Sequence, residues 1–144
     1  MIEDSGSGWA GRTAVVTGGG SGIGRAVAAD LAERGADVLV VGRRADALAG
    51  TAARHPGIRT HVADVARPGD VEGIVAAALA GRGRLDVLVN NAGMGRPAAL
   101  GGITAGDAAT MWGTNVLGPV LLTQAALPHL ASASPGAGKP HSRP

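Results

Sequence analysis

The 144-residue sequence has no cysteine, no phenylalanine and no tyrosine, and its only aromatic side chains are Trp9 and Trp112. Without cysteine there is no disulfide and no thiolate zinc site, a usage compatible with the cytosol. Without an aromatic series the core must come from Ala, Val, Leu and Ile, small side chains that suit helices packed closely on a parallel sheet. An excess of one charge is lacking too, with 13 basic residues against 11 acidic ones. The arginines are scattered and no aromatics alternate with them, which argues against a nucleic-acid surface. No long hydrophobic run is present either. The greasiest stretch, 116–130, is interrupted by Gly118, Pro119, Gln124 and Pro128, and is too broken for a membrane span. Residues 1–8 are acidic and polar, unlike a secretory leader. The expectation is a cytoplasmic protein of one domain, with no room for a separate substrate domain.

What is present is a steady alternation of short apolar runs and helical periods. Residues 13–16 form a first strand that stops at glycines. A helix follows over 22–34, with Ile23, Val27 and Leu31 spaced along one face, and Gly35 closes it. Residues 37–41, apolar on both faces, read as a central parallel strand. A weaker alanine-rich helix covers 45–54, and 58–62 alternates like a strand nearer an edge. Val71, Ile74, Val75, Ala78 and Leu79 keep a strong helical period, and 85–89 forms a fourth strand. A last helix starts at Thr104, capped with Asp107, carries Met111, Asn115, Leu122 and Ala126, and fades near Leu130 with a kink at Pro119. Residues 1–10 read as a flexible start, 11–130 as the folded unit and 131–144 as a disordered tail. Strands separated by helices imply parallel crossovers, hence an α/β fold: the N-terminal part of a doubly wound Rossmann sheet with strand order 3-2-1-4.

The sharpest local signal is Thr17-Gly18-Gly19-Gly20-Ser21-Gly22-Ile23-Gly24, placed between the first strand and the first helix. A diphosphate needs backbone N–H groups at a helix start and no side chains in its way. Gly18 permits the tight turn, Gly22 lets phosphates come close, and Gly24 lets the helix lie on the sheet. A plain flexible loop would not need this strand–turn–helix setting. The second strand ends at Gly42, where a carboxylate would bind an NAD ribose, and Arg43 and Arg44 follow. An uncharged position beside two guanidinium groups favours the 2′-phosphate of NADP(H) over NAD(H), with Arg43 the nearer contact.

The spacing Thr-Gly-x-x-x-Gly-Ile-Gly resembles the short-chain dehydrogenase/reductase family, and further motifs match in order. Asp64-Val65 resembles the family's adenine-contacting pair, Asn90-Asn91-Ala92-Gly93 its motif at the end of the fourth strand, and Asn115 its helix asparagine of the catalytic set. The resemblance covers about 11–130. It implies cofactor contacts from Gly18, Ser21, Gly22, Ile23, Gly24, Arg43, Arg44, Asp64, Val65, Asn90, Asn91, Ala92 and Gly93. It also implies hydride transfer between NADP(H) and a small alcohol or carbonyl substrate, and an oligomer interface on the last helix. Asp64 has a second reading as a helix-entry cap, the two asparagines as loop ties, and Asn115 as an amide satisfying backbone.

In that family a tyrosine donates the proton, a lysine four residues later lowers its pKa, and a serine orients the carbonyl. This sequence has no tyrosine, and its one lysine, Lys139, lies beyond the helical pattern. Ser132 and Ser134 do not follow a fifth strand. His129 at the end of the last helix is a weak substitute, and His55, His61 and His141 show no metal spacing. The resemblance therefore predicts a chain truncated before its active site and inactive as it stands, with an open fourth-strand edge. Leu117, Val120, Leu121 and Leu127 would then be left for self-association. Two alternatives stand beside it: a non-catalytic NADP(H)-binding module, or a non-functional truncated product.

Overall fold

β-branched and aliphatic residues dominate the strands, and their burial follows the pleat. The computed structural model describes residues 8–133. In chain order it contains β1 (Thr13–Thr17), α1 (Gly22–Glu33), β2 (Asp37–Gly42), α2 (Ala45–Ala52), β3 (Ile58–Val62), α3 (Val71–Arg82), β4 (Val87–Val89), α4 (Ala105–Trp112) and α5 (Gly118–Ala133). A 3₁₀ turn, Pro68–Asp70, leads into α3, and a π-helical turn, Gly113–Leu117, joins α4 to α5. All pairings are parallel and the sheet order is β3-β2-β1-β4, as expected.

Alternate strand residues face opposite layers. Ala14, Val16, Val38 and Val40 meet Ala28, Leu31 and Ala32 of α1 and Leu48 of α2, with Trp9 half-buried at the margin. Val15, Leu39 and Val41 meet Ile74, Val75 and Ala78 of α3 and Leu122 and Ala126 of α5 on the other face. No aromatic ring fills either layer, so close approach does the work. A Cβ on Gly118 would lie 2.7 Å from the Val65 carbonyl oxygen, so only glycine lets α5 start against the loop after β3. At the opposite end of the strands, Arg59 on β3 grips Asp37 with two bonds of 2.9 and 2.8 Å and donates to the Ala77 and Ala78 carbonyls of α3.

Several expectations change. The buried stripe of α1 is Gly24, Ala28, Leu31 and Ala32, while Ile23 is 76% exposed. Ile23 sits in the first turn, beyond the end of β1, where no sheet lies beneath it. Helix α2 ends at Ala52, two residues early, and β4 covers only 87–89. Leu85 is buried ahead of β4 without pairing. The final helix is two helices. Thr104 and Asp107 form the expected capping box, but the bend at Pro119 is a widened π turn closed by the Gly118 N–H on the Gly113 carbonyl. Pro119 has no N–H for the Asn115 carbonyl, so the ladder is relieved one turn before the proline. Helix α5 runs through Pro128 to Ala133, three residues past the expected boundary. The rest of the expected tail lies outside the described residues.

Candidate functional site

The carboxyl ends of parallel strands leave a crevice where the chain turns into its helices. Here that crevice is an open groove lined by the glycine turn, by Gly42 at the end of β2 with Arg43 and Arg44 after it, by Asp64 and Val65 after β3, and by Ala92, Gly93 and Met94 after β4. Thr114 of the π turn completes it.

The glycine turn shows which residue does what. Gly18 (φ 64°) and Gly22 (φ 53°) adopt left-handed backbone. A Cβ on Gly22 would meet nothing within 4 Å, so this position opens to free space at the start of α1. A Cβ on Gly24 would instead collide with the Asn91 amide and the Gly18 carbonyl, so Gly24 is held by packing behind the turn. Ser21, the N-cap of α1, is extended and its hydroxyl caps no backbone N–H. The first-turn amides of α1 therefore have neither an intrahelical nor a side-chain acceptor, which suits an anion.

Arg43 and Arg44 are exposed on the groove and neither has a carboxylate partner among the described residues. Asp64 lines the groove and also makes a local turn: its Oδ1 accepts from the Ala66 N–H at 2.9 Å, and its own N–H donates to Asp70 at 2.8 Å. Val65 is buried with only 8% exposed.

Some of the expected residues do not line the groove but support it. The Asn91 side chain donates to the Thr17 and Gly18 carbonyls at 3.1 and 3.2 Å, and Thr17 Oγ1 accepts from the Asn91 and Ala92 amides at 3.0 Å each. The β4 loop is thereby sewn to the glycine turn. Asn90 turns the other way and donates to Thr123 Oγ1 at 3.1 Å. Asn115 is exposed and clasps the Met94 backbone, accepting from its N–H and donating to its carbonyl at 2.8 Å each.

His129 and Ser132 line a separate cavity with Leu79, Gly83, Arg84 and Leu85, where α3 ends and the chain enters β4. That is the amino end of the strands, opposite the groove. Sequence reasoning missed Arg25, whose guanidinium reaches the Gly20 carbonyl, and Thr51, whose hydroxyl reaches the Gly19 carbonyl. An arginine on a helix and a threonine in an alanine-rich helix carry no distinguishing pattern. Among the described residues no group of three or more acidic or histidine side chains gathers to hold a metal, and no helix is long and apolar enough to cross a membrane.

The groove fits a dinucleotide. Its diphosphate would meet unsatisfied amides and open space at Gly22, and no carboxylate lies in the glycine turn.

Known proteins agree with this geometry. A profile of the short chain dehydrogenase family matches residues 12–137. An oxidoreductase of Sarocladium schorii is 42% identical over 127 residues, covering 88% of this chain and 51% of its own length. L-fucose dehydrogenase of Bos taurus is 37% identical over 128 residues, covering 87% and 47%. Among solved structures, a metagenomic short-chain oxidoreductase in complex with NADP superposes with a TM-score of 0.80 at 31% identity, covering 86% of this chain and 58% of that one. Glucose dehydrogenase of Caenorhabditis elegans superposes with a TM-score of 0.77 at 32% identity, covering 87% and 52%. The chain spans about half the length of the curated relatives it matches. On the shared motifs, sheet order and sequence identity together, it belongs to the short chain dehydrogenase family.

Proposed function

We propose that these 144 residues carry the coenzyme-binding part of an NADP(H)-dependent oxidoreductase acting on an alcohol or carbonyl substrate. The supporting observation is the pair Arg43 and Arg44, exposed on the groove without carboxylate partners, next to Gly42 where an NAD-selective site would place an acid. The complex of a similar metagenomic oxidoreductase with NADP supports the same choice. Gly18, Ser21, Gly22, Ile23 and Gly24 would hold the diphosphate side of the coenzyme, Asp64 and Val65 the adenine, and Ala92 and Gly93 the face beside β4. Asn90, Asn91 and Asn115 hold the loops that form this wall.

The bound coenzyme supplies a hydride. The chain must supply a proton donor at the substrate oxygen, and among the described residues no tyrosine, lysine or histidine lines the groove. Arg43 and Arg44 bind and orient, Asn115 fixes Met94, and none of these moves a proton. The 144 residues alone are thus read as binding without turnover. The apolar side chains of Leu117, Val120 and Leu127, 37, 50 and 57% exposed, also favour self-association in solution.

Fluorescence titration of the purified chain tests the reading. NADPH is expected to bind more tightly than NADH, and Arg43→Ala to weaken NADPH alone, by about 1.5–3 kcal/mol for a charged hydrogen bond. Carbonyl compounds should not be reduced. Equal affinity for the two coenzymes, unchanged by the substitution, would sink the NADP(H) preference.

A further inference from the structure

A loop that binds an anion through its amides must have its carbonyls held elsewhere, and here they are held by one arginine and one threonine. Arg25 stands in the first turns of α1, directly behind the glycine turn. Its Nη2 donates to the Gly20 carbonyl at 2.5 Å and to the Ala47 carbonyl of α2 at 3.3 Å. Its Nε donates to Thr51 Oγ1 at 3.0 Å, and the Thr51 hydroxyl donates to the Gly19 carbonyl at 2.7 Å. Thr51 is fully buried in α2. Two successive carbonyls of the turn are thus bound to one network.

The planar trans peptide points each N–H opposite to the carbonyl before it. Holding the Gly19 and Gly20 carbonyls on Thr51 and Arg25 therefore turns the Gly20 and Ser21 N–H groups away from that network. Neither has a backbone acceptor among the described residues, and both residues line the groove. The turn also presses on α2 itself, since a Cβ on Gly20 would come within 3.0 Å of the Ala47 Cβ. Helix α2 begins immediately after Arg43 and Arg44, with Arg44 as its N-cap.

We propose that Arg25 is a positioning residue that locks the diphosphate turn to α2, fixing the distance between the turn amides and the arginine pair that reads the 2′-phosphate. The inference rests on the NADP(H) reading above. It assigns to Arg25 no contact with the coenzyme. Its effect is on how well one ligand satisfies both ends of the site at once, because a dinucleotide that fits one end already positioned gains the other at little further entropic cost.

The test compares the full chain with Arg25→Met, which keeps an apolar stem, and Thr51→Val, which keeps the buried shape without the hydroxyl. NADPH and NADH affinities are measured by coenzyme fluorescence, with circular dichroism as a check on folding. Arg25→Met is expected to lower the NADPH-to-NADH affinity ratio about tenfold, within the range for coupled neighbours, and Thr51→Val to lower it less. Arg25→Lys, able to keep one bond but not the fork, falls between. A merely structural role would weaken both coenzymes equally by reducing the folded fraction, and the ratio would stay put. An unchanged ratio in folded Arg25→Met, or in Thr51→Val should the first variant not fold, overturns the role of Arg25. Failure of the unsubstituted chain to bind either coenzyme overturns the NADP(H) reading and this inference together.

Discussion

Two glycines separated by one residue face different demands, and each predicts its own phenotype. Gly22 looks into empty space from a left-handed backbone, whereas Gly24 is wedged against Asn91 and the Gly18 carbonyl. Gly24→Ala should lose about 1–3 kcal/mol of stability from overpacking and bind coenzyme poorly as a consequence. Gly22→Ala should cost about 1–2 kcal/mol for the left-handed methyl and, in protein that is still folded, obstruct coenzyme directly. Thermal melts with parallel NADPH titrations separate the two, and equal losses of both properties at both sites would contradict the division. Asp86 sets an acid limit. Burial opposes its charge, but hydrogen bonds from Arg84 and the Thr13 N–H, with the charges of Arg84 and Arg12, outweigh that and hold its carboxyl below the ordinary aspartate range. A carboxyl lowered on folding stabilises fully above its unfolded value, about 4, and the contribution disappears as pH falls through the lower folded value. Asp86→Asn should therefore be less stable than the parent at neutral pH and lose less on acidification below about pH 4. Parallel melting curves across that interval would count against it. That the turn between strand and helix needs glycines was legible in the sequence. Gly24, however, was expected to face the sheet and is instead held against Asn91 and the Gly18 carbonyl, the first of these contacts existing only once the loop after β4 arrives. The Arg84–Asp86 pair was not legible, since it matters only once Thr13 of β1 lies alongside.

At the level of elements, the seam between α4 and α5 shows a proline acting at a distance. The sequence placed a kink at Pro119; the structure spreads it over the π turn Gly113–Leu117, which contains Asn115. Asn115 then pairs with both backbone groups of Met94 in the loop after β4. Asn115→Leu should leave those groups without a protein partner, cost about 1 kcal/mol and speed hydrogen exchange at the Met94 amide. Unchanged protection there would show that the clasp is dispensable. The Thr104–Asp107 cap was readable because capping is local, and so were β1, β2 and α3, whose periods are unbroken. The shortness of β4 was not. Its apolar run begins at Leu85, but only 87–89 pair in register with β1, because the Asp86 side chain takes the Thr13 N–H that a backbone carbonyl would otherwise accept. Ile23 misled for a related reason: its spacing suits the buried stripe, while its place in the first turn puts it past the sheet.

For the whole molecule, sheet order and the two-layer core were foreseeable from alternation and composition, whereas the relation between layers and groove needed coordinates. Small side chains bring the layers together, yet Trp112, Val120 and Leu127 remain largely exposed. Sedimentation velocity over a tenfold concentration range should show growing assemblies, and Val120→Lys with Leu127→Lys should reduce them. A monomer at every concentration would refute self-association. The composition has one more consequence. With tyrosine and phenylalanine absent, all ultraviolet emission comes from two indoles. Trp9 rests half-buried against the α1 and α2 layer, while Trp112 is 62% exposed beside the groove-lining π turn. The protein thus contains one optical reporter of its unfolding and another stationed near the groove, and replacing either tryptophan isolates the signal of the other.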